Sequence, residues 1–155
     1  MSEVSITKEF SWNMAHLLAG HEGLCKNLHG HTYKMQIEVA RKIENIITSD
    51  ISTKGMVIDF KELKNLVNVK IVEPLDHAFI YWVNSPDPVE HEIGKILLKN
   101  GRKVARVNYR TTAEEMAINF FNRLTKEFLI IDIELKSVKV WETPTSFAEA
   151  RGDTI

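Results

Sequence analysis

The stretch Cys25-Lys26-Asn27-Leu28-His29-Gly30-His31 decides how this chain is read. His29 and His31 are two residues apart, so in a β-strand both imidazoles point to the same face. Two neutral imidazoles on one face can share a metal ion, and Gly30 between them lets another backbone or a ligand come close. A catalytic zinc site takes three protein ligands and keeps one position for water or substrate. His16 is the best third ligand. It ends a segment in which Phe10, Trp12, Met14 and His16 alternate on one face, and a hairpin would bring it beside the pair. His21 competes for that place, but its neighbours His-Glu-Gly read as the connecting loop. Cys25, four residues before His29, makes chemical sense as a nucleophile or base near a metal.

Outward from this motif, residues 3 to 16 read as a first strand and residues 17 to 28 as a loop. From His29 onward, His29, His31, Tyr33, Met35, Ile37 and Val39 share one face, with Thr32, Lys34, Gln36 and Glu38 on the other. That is a half-buried antiparallel strand whose apolar face the histidines continue. Residues 44 to 55 read as a polar turn region. Asp59, with Glu62 three residues on, predicts a capped helix to about Val72, with Phe60, Leu63, Leu66, Val67 and Ile71 as its buried stripe and Pro74 as its stop. Asp76 and His77 then stand together among apolar residues. After a loop at 84 to 88, Val89 to Leu98 predicts a short helix and Lys103 to Tyr109 a short strand. Thr111-Thr112 opens an amphipathic helix with Glu114 and Glu115 in its first turn, where carboxylates suit the helix dipole, and with Met116, Ala117, Phe120, Leu124 and Phe128 as its apolar stripe. Beyond Asp132, Val138, Val140 and Glu142 share a strand face. A carboxylate ending an apolar face is costly unless paired, so Glu142 is either emerging into water or held for a ligand with adjacent N–H donors. The order of elements predicts an α+β fold, with two main helices on one face of an antiparallel sheet.

With 155 residues, 44% apolar and 26% charged, the chain suits a single domain, taken as 1–155. A net charge of −1 with scattered Lys and Arg argues against a nucleic-acid footprint. One cysteine allows no intrachain disulfide, and Met-Ser-Glu-Val lacks a targeting pattern, so the cytoplasm is the expected location. Apolar runs such as Phe128-Leu129-Ile130-Ile131 are too short to cross a membrane.

Several stretches together resemble the family of 6-pyruvoyltetrahydropterin and 6-carboxytetrahydropterin synthases: Met14-Ala15-His16-Leu17, Cys25-x-x-x-His29-Gly30-His31, Gly55-Met56-Val57-Ile58-Asp59-Phe60, Leu75-Asp76-His77, Thr112-Ala113-Glu114 and Trp141-Glu142-Thr143. They span nearly the whole chain in the family's order. The three-residue gap between Cys25 and His29 resembles the bacterial 6-carboxytetrahydropterin branch, which serves queuosine precursor synthesis. The pyruvoyl-forming branch has a longer gap. The resemblance implies zinc on His16, His29 and His31, Cys25 as catalytic base, and Asp76 with His77 as its relay. It also implies Glu142 as pterin anchor, helped by Thr112 and Glu114. The implied fold is the tunnelling fold, in which sheets from several subunits join into a barrel, usually a hexamer of two trimers with sites at subunit contacts. Thr111 stands where the family commonly has Pro, Glu115 where it has Asn, and Ala78-Phe79-Ile80 replaces a more polar continuation.

The implied substrate is 7,8-dihydroneopterin triphosphate, with 6-carboxytetrahydropterin, acetaldehyde and triphosphate as products. The alternatives are a 6-pyruvoyltetrahydropterin synthase and a non-catalytic module in which zinc is closed by a fourth ligand, Cys25. Replacing His29 or His31 by Ala should remove stoichiometric zinc, whereas His21→Ala should leave it. Metal analysis of the purified variants checks this, and full occupancy in His31→Ala would contradict the ligand assignment.

Overall fold

A computed structural model describes residues 2–152, so residues 1 and 153–155 of the expected domain lie outside the described residues. Strand β1 (Glu3–His16) and strand β2 (His29–Lys42) form the expected hairpin, with His16 opposite His29 and Met14 opposite His31. Strand β5 (Glu134–Thr143) pairs antiparallel with β2, and β6 (Ser146–Arg151) with β5. Strands β3 (Phe79–Trp82) and β4 (Val104–Val107) extend the sheet on the other side of β1, both in parallel. The six strands run in the order β4-β3-β1-β2-β5-β6, so the sheet is mixed and not purely antiparallel. β3 is parallel to β4 because a helix connects them, and a hairpin cannot make that connection.

The core lies on the face that carries Phe10, Trp12, Met14, Tyr33, Met35, Ile37, Val39, Val138 and Val140. Two helices cover it. α2 (Phe60–Val67) contributes Leu63 and Val67, and α5 (Ala113–Ile130) contributes Met116, Ala117, Phe120, Phe121, Leu124 and Phe128. Period-2 faces on the strands meet period-3.6 stripes on the helices, and burial of this apolar surface drives the layers together. A one-residue slip between β1 and β2 would turn both the core residues and the histidines to the wrong face.

Three local features differ from the sequence expectations, and the Asp59 cap is as expected. Residues 44 to 55 are not all turn, because α1 (Ile43–Ile47) buries Ile46 there. Asp59 caps α2 by accepting the Lys61 N–H at 2.7 Å. Phe60 leaves the buried stripe and is 54% exposed, beside Val4 and Ile6 at the far end of β1. Pro74 does not stop the chain's helical course. A wide π-helical turn, Asn68–Val72, precedes a last short α segment, α3 (Glu73–Leu75), and Pro74 falls at the start of that segment, where a missing N–H costs least.

The helix α4 (Pro88–Lys99) packs on the opposite side of the sheet. Ile80 of β3 joins the main core, while its neighbour Tyr81 points the other way, to Gly94 and His91 of α4. A Cβ on Gly94 would come within 2.7 Å of the Tyr81 ring, so this close approach requires glycine. Gly94→Ala should therefore destabilise the protein by about 1–2 kcal/mol, overpacking outweighing the helix-propensity gain. Chemical denaturation checks it: the midpoint should fall with the slope unchanged.

Candidate metal centre and active site

The hairpin register brings His16, His29 and His31 together, with one nitrogen from each within 4.8 Å of the others. Their ring centroids are 4.7, 5.2 and 4.9 Å apart. His16 is buried, while His29 and His31 are half-buried. Backbone carbonyls set the tautomers of two of the rings. His16 Nδ1 lies 3.0 Å from Thr111 O, and His29 Nδ1 lies 2.7 Å from Asn27 O. A carbonyl can only accept, so each Nδ1 carries the hydrogen and each Nε2 is left with a free lone pair. Both Nε2 atoms are buried and have no hydrogen-bond partner among the described residues. Burial, reinforced by His29 and His31, pushes the His16 pKa down to about 4 against the opposing Thr111 carbonyl. Burial and then His29 also lower that of His31. Neutral imidazoles with buried free lone pairs suit a metal ion, and this cluster could hold one.

Among the described residues the cluster contains no sulfur. Cys25 is exposed in the loop between the two strands, in a 3₁₀ turn (Leu24–Lys26), and only its backbone is engaged, with its carbonyl accepting the Leu18 N–H at 2.8 Å. A closed four-ligand site through Cys25 does not match this arrangement. Arg110 pins the same loop by donating from Nε to Ala19 O at 3.0 Å.

Glu142 continues the core face of β5. Lys34 pairs with Trp141, so extending the register by one places Glu142 opposite Tyr33, two residues from His31. Glu142 and Glu114 line one cleft of about 870 Å³ between the start of α5 and β6. Burial raises the Glu142 pKa, Glu114 raises it further, and His29 acts in the other direction. Thr112 caps α5 by accepting the Glu115 N–H at 3.1 Å, which leaves its own hydroxyl hydrogen to donate. Tyr33 is fully buried, stacked on Trp12 at 5.6 Å and edge-on to His31 at 5.5 Å. Burial first, and then Glu142, raises its pKa, so it stays a neutral phenol.

Asp76 and His77 are held elsewhere. His77 Nδ1 lies 3.0 Å from Asp76 Oδ1, and the ring is 74% exposed. They follow α3 and pack beside Asn13, with His77 bordering a cavity of about 400 Å³ lined by Asn13, Met14, Ala15, Gly30, His31, Thr32 and Ala78. Asn13, Ala15, Gly30 and Thr32 alternate with Met14 and His31 along the hairpin, so their face is opposite to that of His16 and Glu142. One chain therefore brings the histidine cluster and the Glu142 cleft to one face and the Asp76–His77 pair to the other. Sequence reading missed the partners of His16 and His29, Thr111 and Asn27. Both act through backbone carbonyls, which every residue has, so no side-chain pattern marks them.

The sequence and the mixed sheet with its helices match one known group. The family model described as 6-pyruvoyl tetrahydropterin synthase matches residues 5–153, and the chain belongs to that family. A 6-carboxy-5,6,7,8-tetrahydropterin synthase of Haemophilus influenzae is 46% identical over 144 residues, covering 93% of this chain and 96% of the relative. The enzyme of that name from Aquifex aeolicus is 35% identical over 130 residues, covering 81% and 74%. Among solved structures, an uncharacterized protein of Wolinella succinogenes superposes with a TM-score of 0.78 at 21% identity, covering 99% of this chain and all (100%) of the other. The 6-pyruvoyl tetrahydropterin synthase of Plasmodium falciparum gives 0.70 at 23%, covering 98% and 99%. The chain thus has the expected tunnelling fold. No helix among the described residues is long and apolar enough to cross a membrane.

Thr111 is buried, and its Oγ1 lies 3.2 Å from His16 Nδ1, beside the carbonyl bond. Thr111→Val should keep the carbonyl but weaken metal binding about tenfold, as loss of an outer partner of a ligand does. Competition with a chromophoric chelator measures it.

Proposed function

We propose that this protein is a zinc-dependent 6-carboxy-5,6,7,8-tetrahydropterin synthase. It is a lyase that converts 7,8-dihydroneopterin triphosphate and one water to 6-carboxytetrahydropterin, acetaldehyde and triphosphate on the route to queuosine, and it works as a cytoplasmic homo-oligomer. The observation that carries this reading is a three-histidine cluster with free Nε2 atoms in a chain 46% identical to a synthase of that name.

Three imidazoles and no sulfur leave a position for substrate, the donor set of a catalytic zinc and not a structural one. Zinc bound by His16, His29 and His31 would hold the hydroxyls of the pterin side chain and acidify the adjacent C–H and O–H groups as a Lewis acid. Glu142 anchors the ring. Its carboxylate accepts from the 2-amino group and the neighbouring ring N–H, a bidentate pair that makes a buried carboxylate tolerable. Thr112 and Glu114 line the same edge. Cys25 takes the proton as general base, and His77, oriented by Asp76, passes it on.

The opposed faces of Glu142 and His77 support a site shared between copies of the chain. A neighbouring copy would bring its Asp76–His77 face to the Cys25 loop, whose Leu24 and Leu28 are exposed apolar residues. This agrees with a hexamer of two trimers with sites at subunit contacts.

The direct test is turnover of 7,8-dihydroneopterin triphosphate with products identified by mass. Acetaldehyde release supports the reading, and a pyruvoyl product without acetaldehyde contradicts it. Cys25→Ala should keep the metal while losing roughly 100- to 10,000-fold in rate. A further outcome follows from Glu142. Its pKa is raised, so as pH falls it gains a proton above the usual carboxylate range, and a protonated carboxyl cannot accept two N–H bonds. Pterin affinity should fall with pH in that range. Glu142→Ala should weaken binding by about 1.5–3 kcal/mol and leave metal content unchanged. Calorimetric titration with a pterin across the acid range checks both.

A further inference from the structure

His77 has a φ of 64°, in the left-handed region that a residue with a Cβ occupies only when its surroundings impose it. The backbone contacts that impose it run to β1. The His77 N–H donates to Asn13 O at 2.7 Å, and the Asn13 N–H donates to Asp76 Oδ1 at 3.1 Å. Behind the same turn stands Lys103, the residue just before β4. Its Nζ donates to Glu73 O at 2.6 Å and to Asp76 O at 2.5 Å, while its own carbonyl accepts the Phe79 N–H at 3.1 Å.

Lys103 makes no direct ion pair with a carboxylate among the described residues; its ammonium bonds to these two carbonyls, and its charge also reaches the Asp76 carboxylate. The two carbonyls belong to Glu73, the first residue of the three-residue α3, and to Asp76, the residue after it, in the last turn, where a helix runs out of N–H partners and a cation is favoured. Lys103 therefore closes the turn from the outside while Asn13 closes it from the sheet. Asp76 is bound on both sides: its carboxylate takes the Asn13 N–H and faces the His77 ring, and its carbonyl takes the ammonium.

We propose that Lys103 is the positioning residue of the Asp76–His77 pair, fixing the Asp76 carbonyl and with it the left-handed turn that aims the His77 ring. The inference rests on the reading of His77 as a proton relay. It assigns the residue leading into β4 the task of holding one end of that relay.

Lys103→Met keeps the apolar stem and removes the donors, whereas Lys103→Arg keeps a cation. In the zinc-loaded oligomer, Lys103→Met should lower kcat about 10- to 100-fold, the scale of a misaligned catalytic group, with KM nearly unchanged. Lys103→Arg should recover most of the loss. In a His77→Ala background the Lys103→Met change should cost less than about twofold, because residues acting through one another are not additive. An equal loss in both backgrounds, or an unchanged kcat in Lys103→Met, would overturn the proposal. Amide hydrogen exchange at His77 and Ala78 reads the turn without turnover and should speed up in Lys103→Met. Faster exchange in a protein whose wild type does not turn over the pterin would overturn the relay reading but support the positioning role. Unchanged exchange beside normal wild-type turnover would overturn the positioning role alone.

Discussion

Three imidazoles crowded on one face of the β1–β2 hairpin are the constraint on which the rest of the structure depends. Burial makes charge on His16 costly, and each protonated neighbour would add repulsion, so His16 stays neutral at ordinary pH. Two of its buried Nε2 atoms have no protein partner. A buried polar atom left unpaired costs about 1–3 kcal/mol, and a metal ion relieves several such atoms at once. The carbonyls of Thr111 and Asn27 hold the rings in the tautomer that makes this possible.

The same register that builds the core builds this cluster. Met14 and Tyr33, both in the core, are the strand neighbours of His16 and His31, so the packing that fixes the hairpin also fixes the distance between ligands. α5 links the two functions. Its inner residues fill the core, while Thr111 before it holds His16, and Thr112, Glu114 and the cleft with Glu142 occupy its first turn. Rigid elements thus carry the histidine cluster and Glu142, the proposed ring anchor, while Cys25 sits on an exposed loop.

What the sequence made legible and what it hid have physical causes. The β1–β2 hairpin, the histidine triplet, the stripe of α5 and the placement of Glu142 all follow from alternation or helical periodicity, which side chains record. β3 is buried on both faces, with Phe79, Ile80 and Tyr81 all nearly inaccessible, so it shows no alternation and reads only as apolar residues beside Asp76–His77. The parallel pairing of β3 and β4 and the placement of α4 on the far face followed that loss. Pro74 misled because a π-helical turn absorbed it. Phe60 has the right spacing for the stripe but lies over the end of the sheet, where there is less core to enter. The roles of Thr111, Asn27 and Lys103 run through backbone carbonyls, and no residue pattern reports those.

The central claim is that the three histidines form a catalytic metal centre with a position kept for substrate. X-ray absorption at the zinc edge of the loaded oligomer tests it most directly. The account predicts a first shell of light atoms only, with three imidazole nitrogens at about 2.0–2.1 Å and a further oxygen that changes when a pterin binds. A sulfur at about 2.3 Å would place Cys25 on the metal, close the site and contradict the account.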